Sequence, residues 1–132
     1  MQTRTARRDI NAHPSAVARV ILNIAELADW NPALTNVDST DQSARIGHPY
    51  SVSTRLPGRS TLTYTLATTE RITWRLDLAG GTEIAEWVLL PRGAVTQVDH
   101  TMTHSGAWFT LLRGAMANVP TWRLDRLQER VE

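Results

Sequence analysis

Apolar positions along this chain change their spacing twice, and the changes mark the elements. Thr3–Asn11 predicts an opening strand that ends at Ala12-His13-Pro14-Ser15. Pro14 disfavours helix at His13 and suits a first helical turn. Val17, Val20, Ile21 and Ile24 then recur at helical spacing, and Ala25–Trp30 continues or restarts the helix until Asn31-Pro32 breaks it. From Leu34 to His104 the period becomes two. Turn signals at Ile46-Gly47-His48-Pro49, Pro57-Gly58-Arg59, Thr68–Arg71, Ala79-Gly80-Gly81 and Pro91-Arg92-Gly93 set off six strand-like runs. Short strands joined by tight turns predict an antiparallel meander. After Trp108 the helical period returns. Leu111, Leu112, Ala115, Met116, Val119 and Trp122 form one stripe, whereas Leu124, Leu127 and Val131 lie on another azimuth. A helix kinked near Asn118–Thr121 by Pro120 accounts for the slip.

The turns also predict pairings. A two-residue loop at Gly80-Gly81 sets Leu78 against Glu83, Leu76 against Ala85, Trp74 against Trp87 and Ile72 against Leu89, with Arg75 and Glu86 paired on the opposite face. Carried across Arg92-Gly93, Leu89 meets Thr96, Trp87 meets Val98 and Ala85 meets His100. A three-residue loop at Pro57-Gly58-Arg59 pairs Thr54 with Leu62, Val52 with Tyr64 and Tyr50 with Leu66. One face of the sheet is then aromatic and aliphatic. The other carries Thr, Ser and charge, including outward Arg55, Arg75 and Asp99.

Composition narrows the function classes. At 132 residues the chain suits a single domain, 1–132, large enough for one core. There is no cysteine, which removes disulfides, thiolate metal sites and thiol nucleophiles. All 14 basic residues are arginine, but the net charge is only +1 and the arginines scatter, so no nucleic-acid partner is expected. No stretch resembles a signal peptide or a spanning helix, so we expect a cytoplasmic protein without integral membrane association. Short exposed sheet edges leave room for a homodimer.

Particular segments carry a resemblance. Asp9-Ile10-Asn11-Ala12-His13-Pro14-Ser15-Ala16-Val17 runs from an apolar strand end through an Ala-x-Pro turn into a helix. Asp29-Trp30-Asn31-Pro32 forms a Trp-x-Pro bend, and Ile46-Gly47-His48-Pro49-Tyr50 is a Gly-initiated strand. Glu70-Arg71-Ile72-Thr73-Trp74 and Gly93-Ala94-Val95-Thr96-Gln97-Val98 begin further strands. Together they resemble the START-like (SRPBCC) superfamily, nearest to the bacterial polyketide cyclase/dehydrase and lipid-transport group. The resemblance implies an α+β helix-grip fold. A curved antiparallel sheet of about seven strands (β-α-α-β6-α) would wrap around a long, Pro-kinked C-terminal helix.

Such a fold implies a cavity for an apolar ligand between sheet and helix. The predicted inward face offers Tyr50, Val52, Tyr64, Trp74, Leu76 and Trp87, followed by Leu89, His100 and Met102. The last helix adds Trp108, Leu112, Met116 and Val119, and Trp30 stands at the bend near the entrance. Residues at these spacings also serve as plain core. His13 and His48 sit at turns and read as surface residues. His100 and His104 are four strand residues apart, about 13 Å, too far to share a metal ion. No metal or other cofactor is expected. His100 with Tyr64 is the acid–base pair that a polyketide aromatase/cyclase or dehydrase would use. Glu83 reads as a solvated carboxylate at the rim, near Met102. The strands place no inward arginine, a residue the resemblance associates with holding polar groups of a cyclase substrate. Ligand binding without chemistry therefore leads, cyclisation is the alternative, and a filled interior would instead suit a partner-binding protein.

Overall fold

A computed structural model describes the chain from Met1 to Glu132. Strand β1 (Gln2–Ile10) leads into helix α1 (Pro14–Leu22), a single 3-10 turn (Ile24–Glu26) and the short helix α2 (Leu27–Trp30). Six strands follow: β2 (Leu34–Val37), β3 (Pro49–Thr54), β4 (Arg59–Ala67), β5 (Arg71–Leu78), β6 (Gly81–Arg92) and β7 (Val95–Ser105). Helices α3 (Ala107–Leu111) and α4 (Val119–Val131) end the chain. The sheet is antiparallel throughout, seven strands in the order β1-β7-β6-β5-β4-β3-β2. This is the expected helix-grip architecture. The start of α1 follows the chemistry of its turn: Pro14 takes the first-turn position, and His13 caps the helix by accepting the Ser15 N–H at its Nδ1, 3.2 Å away.

The inward face is as expected, but every hairpin register differs from the expected one. Leu78 pairs with Gly81, Leu76 with Glu83, Trp74 with Ala85 and Ile72 with Trp87, a shift of two residues. The same shift recurs in the next hairpin, where Leu89 meets Val98 and Trp87 meets His100. In the β3–β4 hairpin Tyr50 meets Leu62 and Val52 meets Ser60. All these shifts are even, so side chains keep their faces. Arg75 consequently stands opposite Ile84 and bonds Asp77, and it is Arg71 that approaches Glu86, at 3.6 Å.

Two local features explain what the turn rules missed. Of the glycine pair, only Gly80 is a turn residue, with φ of +88°. Gly81 belongs to the strand, and the ring of Phe109 would lie 2.8 Å from a Cβ there. In β4 the pairing shifts between Tyr64 and Leu66, so Thr65 is an extra residue and the face reverses beyond it. Leu66 is therefore turned outward and 39% exposed, not opposite Tyr50 on the inner face.

The C-terminal segment is interrupted, not kinked. After α3 the chain runs through turns from Leu112 to Asn118, and Pro120 sits in the first turn of α4, where a missing N–H removes no helical bond. Gly114 in the intervening stretch disfavours a continuous helix. Leu124 and Leu127 of α4 pack with Val17 and Ile21 of α1, Trp30 of α2 and the concave face of the sheet in one core.

The close seat of Phe109 makes a prediction. Gly81→Ala should destabilise the fold by about 1–3 kcal/mol, since a Cβ there overpacks against the ring. Gly114→Ala, with nothing within 4 Å of the new methyl, should change stability by about 0.5 kcal/mol or less. Urea unfolding of the two variants checks the contrast.

Candidate functional site

Between α4 and the open end of the sheet lies a cavity of about 750 Å³, lined by 17 residues of which 10 are hydrophobic. Its walls come from five segments: Pro32-Ala33, the β3–β4 connection at Thr54–Leu56, the adjoining ends of β5 and β6, the stretch from Phe109 to Val119, and α4. Leu76, Phe109 and Val119 are buried wall residues, while Arg55, Trp122, Arg126 and Glu129 are exposed. The stripe read as one helix thus survives as a surface except at Leu111, which points to solvent at 78% exposure and does not line the cavity. Leu112, Ala115, Met116, Val119 and Trp122 all face this cavity, although a run of turns, not a helix, carries the middle ones.

One wall residue opens onto a buried polar cluster. Glu83, expected at a solvated rim, is only 1% exposed. Its carboxylate receives both Nη2 contacts of Arg123 at 3.1 Å, the His104 Nε2–H at 2.9 Å and the Trp74 indole N–H at 2.9 Å. Arg123 reaches in from α4 and is fully buried. Its Nε–H donates to Asn31 Oδ1 at 3.1 Å, and its Nη1 lies 3.0 Å from Met102 Sδ and 3.3 Å from His100 Nε2. The guanidinium also lies 5.5 Å from the centroid of the Trp74 ring. Every nitrogen of the fork has a partner.

The network sets protonation. Burial alone pushes the Glu83 carboxyl up, but the charge of Arg123 and the bonds from His104 and Trp74 outweigh it and hold the group well below the usual carboxylate range. His100 is pushed down to about 3, first by burial and then by the Arg123 charge. It is therefore neutral, with Nδ1–H donating to the Glu86 carbonyl at 3.1 Å and Nε2 accepting from Arg123. Its ring stacks on Trp87 with centroids 3.6 Å apart.

Most residues expected to touch ligand instead fill the core. Trp30, Trp87 and Trp74 stand in a row with centroids 5.8 and 5.6 Å apart, and Tyr64 continues it at 5.6 Å from Trp74. Tyr50, Val52, Leu89, His100 and Met102 are likewise buried outside the cavity lining. The Tyr64 hydroxyl donates to the Ile21 carbonyl at 2.6 Å, and burial pushes its pKa up. His100 and Tyr64 are thus each committed to internal partners, and the structure does not bring them together at the cavity. Trp108 packs on the Gly80 turn. Leu76, Leu112, Met116 and Val119 are the expected ligand contacts that do line the cavity. Arg55, expected to point away, lines it too.

Reading strands alone missed Arg123 and Asn31. A signal for Arg123 was available: it lies four residues after Val119 and four before Leu127, on the buried side of α4. An inward cation on the helix facing an inward Glu83 on the sheet predicts their pairing.

Two predictions follow from the cluster's energetics. Glu83→Gln, which strands a buried guanidinium, should cost about 3–5 kcal/mol in urea unfolding, and adding Arg123→Met should restore much of that loss. The second concerns acid. His100 and Glu83 both have lower pKa values folded than unfolded, so the unfolded chain binds more protons in acid. Stability is full above about pH 6.5, then falls with pH, through His100 first and through Glu83 below about pH 4.5. His100→Gln should flatten the pH dependence of stability between about pH 6.5 and 4.5. A slope as steep as that of the parent protein would overturn the assignment.

The arrangement matches known folds closely. A protein of Chromobacterium violaceum is similar at TM-score 0.76 and 22% identity, over 100% of this chain and 99% of its own. A hypothetical protein of Helicobacter pylori is similar at TM-score 0.82 and 11% identity, over 99% and 88%. Norcoclaurine synthase of Thalictrum flavum, seen as a point mutant with a transition-state analogue, is similar at TM-score 0.75 and 11% identity, over 98% and 93%. No curated protein matches the sequence. The family model described as polyketide cyclase/dehydrase and lipid transport matches residues 1–132, the whole length, and the chain belongs to that family.

Proposed function

We propose that this protein binds a small, largely apolar molecule in the cavity between α4 and the sheet. The observation that carries the reading is the cavity itself, about 750 Å³ of mostly hydrophobic wall beside a core that is already filled. That volume lies within the range of small-molecule sites, roughly 300–1,000 Å³. Apolar surface left open to water at Leu112, Met116 and Trp122 is stabilised when a ligand covers it. Membership of a family whose description includes lipid transport supports the same reading.

Binding has more support than catalysis. The ionisable group in the inner wall is Glu83, whose oxygens already accept from Arg123, His104 and Trp74. A carboxylate held ionised with its lone pairs engaged is a weak base. Acid–base cyclisation by His100 and Tyr64 would need both side chains to leave their internal partners. The norcoclaurine synthase likeness supports a shared fold and a ligand space, and no particular reaction.

The test is cavity filling. The neutral fluorophore N-phenyl-1-naphthylamine should bind the parent protein and quench or shift the emission of Trp122, the half-exposed tryptophan in the wall. Met116→Trp should weaken that binding about tenfold or more, while leaving the urea midpoint nearly unchanged. Native mass spectrometry of freshly purified protein should show a co-purifying small molecule that the filled variant lacks. Equal fluorophore binding by Met116→Trp and Leu112→Trp would overturn the proposal.

A further inference from the structure

The charged groups on the cavity lining do not cancel, and we infer that the mouth selects an oxyanion: the ligand is a single-chain amphiphile with a carboxylate or phosphate head. This rests on the binding reading above and specifies its ligand class. Of the three acids on the lining, Glu83 is neutralised by Arg123 and Asp125 by an ion pair with Arg8. Glu129 alone has no cationic partner. The two arginines of the lining, Arg55 and Arg126, are both exposed and neither forms an ion pair. Arg55 donates only through Nε, to the Pro32 carbonyl at 2.8 Å. That bond steadies the side chain at the β3–β4 connection and leaves both Nη groups without partners. The Arg126 side chain makes no hydrogen bond, even though Glu129 lies one turn along the same helix.

The exposed part of the lining thus carries two guanidinium forks from separate elements and one carboxylate. A planar fork suits carboxylate and phosphate oxygens, to which it can donate in pairs. Behind the mouth the buried wall is Leu76, Phe109 and Val119, with Leu112 and Met116 beside them. An apolar chain inside and an oxyanion at the rim satisfy both regions together. A cationic head would face Arg55 and Arg126, and a neutral head would leave them solvated as they are.

The experiment compares probes that share one chain. Decanoate, decyl phosphate, 1-decanol and decyltrimethylammonium compete with N-phenyl-1-naphthylamine for the full chain at low and high salt. At low salt the two oxyanions should bind about tenfold more tightly than decanol, and the cation more weakly than decanol. High salt should shrink that preference, because the arginines are exposed. The tighter of decanoate and decyl phosphate then names the head group. Arg55→Gln and Arg126→Gln should each weaken the oxyanions about fivefold and leave decanol unchanged. Equal binding of decanoate and decanol, with no effect of either substitution, overturns the head-group inference and leaves the cavity reading standing. Failure of all four probes to displace the bound fluorophore overturns the head-group inference, whereas failure of the fluorophore itself to bind overturns both. Full competition by acetate or inorganic phosphate alone would also overturn it, since the chain would then contribute nothing.

Discussion

The structure depends on one buried contact, the pairing of Arg123 Nη2 with both carboxylate oxygens of Glu83. It joins the helix to the floor of the sheet at a point where both charges are almost wholly withdrawn from water. Removing two charges from water is costly, and their attraction offsets that cost only with good geometry and with every remaining donor and acceptor engaged. Here His104, Trp74, Asn31 and His100 complete the set. The pair therefore acts more as a positional constraint than as a source of stability. α4 has one seat on the concave face, and any slide along the sheet would leave an unpaired ion behind.

That constraint also divides the interior. On one side of the pair the space is closed by Trp30, Trp87, Trp74 and Tyr64, whose rings meet edge-on or tilted. On the other side α4 stands away from the ends of β5 and β6 and the cavity begins. Glu83 belongs to both regions. It is a member of the polar cluster and a patch of the cavity wall, so the interior is partitioned at a charged residue, not at an apolar one.

How much of this was legible follows from what each signal measures. Strand number, the N-terminal helices and the inward face are legible in periodicity, which reports burial and survives an even shift in register, whereas the apolar stripe after Trp108 conceals the break between α3 and α4. Pairing partners depend on which glycine turns: Gly80 takes the positive φ, while Gly81 stays in the strand and leaves room for the ring of Phe109, some 28 residues away. The outward turn of Leu66 depends on one extra residue at Thr65, and alternation alone does not reveal a bulge. The aromatic face was found, but periodicity cannot distinguish a wall from a filling. Its rings pack on one another, and the open surface went to Leu112, Met116 and Trp122. The misplaced rim carboxylate has a related cause. Strand periodicity relates Glu83 to its strand neighbours only, while its partner Arg123 arrives from the far end of the chain.

The position of β1 has a consequence for how the chain assembles. It sits at the sheet edge and pairs only with β7, where Thr3 faces Thr103 across 100 residues of sequence. Nothing local can hold β1 in place, and loop closure of that span must precede any gain from the contact. During synthesis its backbone donors and acceptors have only water as partner until the last strand has emerged. The 3-10 turn and α1 beside it wait for α4, which is made later still. The fold is thus completed from its two ends at once, and a chain halted before β7 would present a naked strand to its neighbours.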